Sequence, residues 1–115
     1  MNFEVKRIGD ISIFKLNEKR LNSSLSGMVK GEFTILLHAE DTNKLIVDLS
    51  EVETCDSSGL SALLLAYRIL SGNQGHIRIA SPSKNVMTLI HISQLDRVLP
   101  VSNTVNEAIS ELEKK

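Results

Sequence analysis

A chain of 115 residues has room for one hydrophobic core and not for two, so a single domain spanning residues 1–115 is expected. A formal net charge of −1, three Phe, one Tyr and no Trp argue against a nucleic-acid partner, which needs a basic face or stacking rings. One cysteine, Cys55, excludes an internal disulfide and a multi-cysteine metal site. With no apolar leader and no apolar run near the ~20 residues of a bilayer span, a cytoplasmic protein without direct membrane insertion is expected.

Two alternating segments open the chain. "FEVKRI" and "ISIFKL" place apolar residues at every second position, as half-buried strands do, and Gly9-Asp10 between them is a two-residue hairpin signal. In "RLNSSLSGMVKGEFTILLHA" the period changes: Leu25, Val29, Phe33, Leu36 and Leu37 recur at helical spacing, with N-cap oxygens on offer from Asn22 to Ser24. "KLIVDLS" (44–50) is a continuous apolar run with one acid, which predicts a buried strand covered on both faces, with Ile46, Val47 and Leu49 in the core.

A second helix is predicted over residues 57–71, then a strand at "HIRIA" (76–80) and a third helix opened by Pro82-Ser83 and carrying Val86, Leu89 and Ile90. "RVLPV" reads as an edge strand because Pro100 lacks a ladder donor. In the last helix Thr104 and Glu107 form a capping box, and Val105, Ala108, Ile109 and Leu112 make one apolar stripe. The order ββαβαβαβα predicts an α/β domain: a mixed, mostly parallel sheet with about four helices, begun by an antiparallel hairpin.

The chemistry concentrates in "CDSSGL", residues 55–60. The plainest reading is a helix cap, because Asp56 or Ser57 can accept the orphan N–H groups of the first turn. A nucleophile elbow needs G-x-S-x-G, and Cys55 or Asp56 stands where the first glycine belongs. His38, His76 and His91 are scattered and carry no acid pattern, no phosphate-cradling glycine loop or H-x-x-x-H pair exists, and Cys55 reads as a small apolar residue. No catalytic residue, metal or cofactor is therefore assigned, and a small enzyme using Ser57 or Ser58 is left as the weaker reading.

On a helical wheel Leu60, Leu63, Leu64, Tyr67 and Ser71 form the expected core face. Ser57 flanks it at about 60° from Leu60, and Ser58 points about 160° away, so Ser58 is expected to be the accessible hydroxyl. Ala62, Leu65 and Ile69 follow Ser58 at i+4, i+7 and i+11. That second apolar side is either buried in the core or an exposed strip that docks a partner, and the exposed strip, with Leu65 and Ile69 open to solvent, is the expectation.

"KLIVDLSEVETCDSSGLSALLLAYRIL" resembles the central signature of STAS domains, named for sulphate transporters and anti-sigma factor antagonists. "KRLNSS" resembles the G-x-L-D segment opening the family's first helix, with Asn22 in place of the common Asp and Lys19 near the usual glycine; "TVNEAISEL" resembles the closing helix. The resemblance implies a bacterial partner-switching regulator of transcription, an anti-sigma factor antagonist. Unphosphorylated, such a protein binds an anti-sigma factor that is also a serine kinase. Phosphorylation on the second serine of D-S-S-G, here Ser58 rather than Ser57, releases it, and a serine/threonine phosphatase restores it. The partner surface implied comprises Asp56, Ser57, Ser58, Gly59, Ala62, Leu65 and Ile69, with Asn22 adjacent. STAS domains also serve as constitutive subunits of signalling scaffolds and of a phospholipid-transport complex, which is the alternative expectation.

Overall fold

In the computed structural model, which describes residues 1–38 and 42–115, Gly9 adopts φ +60 between strands β1 (Phe3–Ile8) and β2 (Ile11–Leu16). A positive φ at the first of two turn residues is the type II′ pattern, whose twist matches an antiparallel hairpin. The register runs from Phe3↔Leu16 to Ile8↔Ile11 without a bulge. The chain then passes through a short strand β3 (Arg20–Leu21) into helix α1 (Ser23–His38), and returns as β4 (Lys44–Asp48).

A second short strand, β5 (Thr54–Cys55), leads into α2 (Ser57–Gly72), followed by β6 (His76–Ala80), α3 (Lys84–Ile92), β7 (Val101–Ser102) and α4 (Val105–Glu113). The main sheet has the order β1-β2-β4-β6-β7, antiparallel at the hairpin and parallel elsewhere, so β4 is central as its unbroken apolar run predicts. Ile46, Val47 and Leu49 are buried. β3 and β5 pair in parallel as a separate two-stranded ribbon absent from the expected order.

One face of the main sheet carries Phe14, Leu45, Val47, Ile77 and Ile79, packed with Val29, Phe33 and Leu37 of α1, the buried side of α2, and Val86 and Ile90 of α3. Phe33 meets Phe14 edge-on at 4.9 Å between ring centroids. Among the described residues the other face is covered by α4, through Ala108 and Leu112 against Ile11, Ile13, Ile46 and Ala80. Arg78 and Ser102 both bind Glu111 Oε1, at 3.0 and 2.6 Å, and so pin α4 to the sheet.

Three expectations need correction. β1 is exposed along its length after Phe3, because it is the outer strand with neither helix layer reaching over it. The edge strand expected over residues 97–101 is present but displaced: Leu95–Arg97 is a 3-10 turn, and pairing with β6 begins at Val101, after the donorless Pro100, in the two-residue edge strand β7. The capping box of α4 is shifted on one side. Glu107 N–H donates to Thr104 Oγ1 as expected, but the Glu107 carboxylate reaches Asn103 N–H. Among the described residues no helix is long and apolar enough to cross a membrane.

Candidate functional site

The D-S-S-G segment is held by its neighbours before it does anything. Asp48, at the end of β4, accepts the Ser50 N–H at 3.0 Å and turns the chain out of the sheet. Glu53 and Thr54 then donate to Lys19 O, the Ser83 hydroxyl donates to Glu53 O at 3.0 Å, and Asp56 N–H donates to Leu21 O at 3.2 Å. The start of α2 is thereby tied to the β3 segment and to the cap of α3.

Asp56 is the N-cap of α2. Its backbone is extended, its Oδ1 accepts the Gly59 N–H at 3.0 Å, and its carbonyl accepts the Leu60 N–H. In the parallel ribbon Leu21 stands opposite Cys55, so the next residues, Asn22 and Asp56, open α1 and α2 side by side. Asn22 Oδ1 accepts both the N–H (3.0 Å) and the hydroxyl (2.6 Å) of Ser24. It is thus the cap of α1, a use for the amide that does not require the family's common acid.

Ser57 is exposed and Ser58 half-buried; neither hydroxyl has a hydrogen-bond partner among the described residues. The expected contrast is therefore inverted, since Ser57 is the more accessible and does not cap. The reason lies in where α2 turns its core face. Gly59, Ala62 and Ala66 are buried along with Leu60, Leu63 and Leu70, while Leu64 and Tyr67 are half-buried and Ser71 is exposed. Gly59 closes on Leu21 and Cys55 of the β3–β5 ribbon, Ala62 and Ala66 enter the common core, and α1 packs along α2, so the small residues rather than the leucines mark the buried side.

The apolar strip expected beside Ser58 is corrected accordingly. Ala62 is 0% exposed and belongs to the core, Ile69 packs against it, and Leu65 is half-buried. The accessible rim of α2 is Ser57, Ser58, Ser61, Leu64, Leu65 and Arg68. Leu64, expected on the core face, is half-buried, and Ser61 and Arg68 share its side of the helix; the G-x-x-A-x-x-x-A spacing of Gly59, Ala62 and Ala66 marks the buried side instead.

Beneath the loop, burial pushes the Cys55 thiol up to about 12, helped by the Asp56 charge. The sulfhydryl donates weakly to Asp56 O at 3.3 Å. The histidines do not join the serines: His38 meets Thr34 O, His91 pairs with Asp96 at 2.9 Å, and His76 begins β6. No cluster of three or more His, Cys, Asp or Glu able to hold a metal occurs among the described residues.

This fold, with a capped D-S-S-G turn leading into α2, is that of a known family. The chain belongs to the STAS domain family, whose model matches residues 2–108, and it is like the anti-sigma factor antagonists within it. A Thermotoga maritima protein described as a candidate anti-sigma factor antagonist is 27% identical over 113 residues, covering 98% of this chain and 99% of its own. The crystal structure of a Thermotoga maritima protein of that description superposes with a TM-score of 0.87, covering 96% of this chain and 94% of that one. The phosphorylated form of the Bacillus cell-fate determinant SpoIIAA, 18% identical, shares the fold at a TM-score of 0.73 over 96% of this chain and 98% of its own.

Proposed function

We propose that this protein is a cytoplasmic anti-sigma factor antagonist that works by partner switching. Unphosphorylated, it binds an anti-sigma factor that is also a serine kinase. The kinase phosphorylates Ser58, the complex separates, and a serine/threonine phosphatase resets the switch. The chain is substrate and binding module, with no catalysis of its own.

The observation that carries this reading is the first turn of α2, where, among the described residues, the Ser58 hydroxyl has no hydrogen-bond partner and the Asp56 carboxylate accepts the Gly59 N–H. A phosphate there brings about −1.5 to −2 charges next to first-turn N–H groups that favour an anion. The fold tolerates it. A partner seated on the rim formed by Ser61, Leu64 and Leu65 would have to bury that charge, at a cost of several kcal/mol unless it were paired.

Incubation with the cognate kinase and ATP, followed by intact mass and phosphopeptide mapping, tests the reading. One phosphate on Ser58 and loss of kinase binding are expected. Phosphate on Ser57 or Thr54, or a phosphorylated Ser58 that binds as tightly as before, would overturn it.

A further inference from the structure

β1 is the terminal strand of the main sheet, at the end opposite β7. Asn17 N–H donates to Asn2 O, and the two-residue turn closes at Ile8↔Ile11. The even-numbered residues of β1 thus exchange their hydrogen bonds with β2, and the peptide groups of Phe3 and Val5 point away from the sheet. Edge strands of this kind are ordinarily blunted by charge. Here the charges alternate in sign along one face, Glu4 then Lys6, on either side of Val5, which is 46% exposed.

Two copies meeting antiparallel, about a two-fold axis perpendicular to the sheet, keep like faces together. Odd residues then stand opposite odd ones and even opposite even. An axis at Glu4 sets Glu4 against Glu4, and an axis at Lys6 sets Lys6 against Lys6; both are repulsive. An axis at Val5 sets Glu4 of each copy against Lys6 of the other, twice. These are non-hydrogen-bonded positions, where facing side chains come closest. Val5 packs on Val5, and their outward peptide groups supply the central ladder bonds.

We propose that the protein self-associates through β1 as an antiparallel strand pair centred on Val5, its register selected by the Glu4–Lys6 contacts. Two six-residue strands bury less than the ~1,200–2,000 Å² of a standard stable interface, so the dimer forms with rising concentration and dissociates on dilution.

Sedimentation equilibrium over a dilution series up to about 1 mM tests this, that being the range in which so small an interface is populated. The wild type should show a concentration-dependent dimer. Glu4→Lys and Lys6→Glu should each weaken it by about tenfold or more, since both cross-pairs become like-charged. An equimolar mixture of the two variants should recover the dimer, because each Lys then faces a Glu. Thermal unfolding of each variant shows that it is folded, both positions being exposed. A wild type that stays monomeric throughout, single variants that associate as the wild type does, or a mixture that fails to recover overturns the proposal.

Discussion

The carbonyl oxygen of Leu21 occupies the space that a β-carbon on Gly59 would need. That carbonyl cannot simply move aside, because it also accepts the Asp56 N–H and belongs to the short ribbon beside α2. Cys55 Sγ and Leu21 Cγ would stand only 2.6 and 2.8 Å from the same carbon. Gly59→Ala should therefore destabilise the fold by about 1–3 kcal/mol, although alanine is the better helix former. A fall in melting temperature of several degrees by circular dichroism checks this, and an unchanged or raised value refutes it.

Asp56 should be separable from the serines that follow it. Asp56→Ala removes the acceptor for the Gly59 N–H and should cost about 1 kcal/mol, whereas Asp56→Asn, which keeps an oxygen at the cap, should cost only tenths. Chemical denaturation of the two variants side by side decides it. Equal losses would mean that the carboxylate charge, not the cap bond, is what matters.

The central strand, the helices and the D-S-S-G turn were legible because each rests on local pattern. An unbroken apolar run predicts β4, Thr104 predicts its cap and Pro82-Ser83 the start of α3, while at α2 the sequence leaves Asp56 and Ser57 as rival caps and the structure uses Asp56. The rotation of α2 was not legible. It depends on Leu21 lying against Gly59 and on Ala62 and Ala66 entering the core, contacts made with residues far away in the chain, and a wheel weighted by side-chain size points to the leucines instead. The β3–β5 ribbon was hidden for a similar reason: each of its strands is only two residues long, too short for any periodicity.

For the switch, Ser58→Ala should take up no phosphate yet bind the kinase normally, since it removes one unpartnered hydroxyl. Ser58→Asp should weaken binding less than phosphate does, because it brings one charge rather than nearly two. Its melting temperature should stay near that of the wild type, an acid in the first turn of a helix being mildly favourable. A Ser58→Asp protein that unfolds early would point to a packing role for the half-buried serine.

Cys55 should resist alkylation in the native state. With its thiol pushed up to about 12, very little thiolate exists at neutral pH, and the side chain is only partly accessible. Iodoacetamide labelling followed by mass spectrometry should be slow in buffer and rapid in denaturant. Equal rates in both would contradict the burial.

The anchor of α4 predicts an acid-side dependence. The Ser102 hydroxyl, and then Arg78, hold the Glu111 carboxyl below its ordinary 4.5. A group with its folded value lowered contributes stability above its unfolded value and loses it as pH falls through the folded one. Glu111→Gln should thus be less stable than the wild type near neutrality, with the gap in melting temperature closing below about pH 4.5. The contribution is small, because this side chain is 46% exposed. A gap independent of pH would show that the charge plays no part.

That α4 covers the second face of the sheet bears on how the chain is made. During synthesis β1 through β7 emerge before Val105, and the parallel pairings of β2, β4, β6 and β7 can assemble while Ile11, Ile13 and Ile46 still face water. The nascent chain therefore passes through an interval in which it is sticky on one side only. That interval ends when Ala108 and Leu112 dock on Ile11, Ile13 and Ile46.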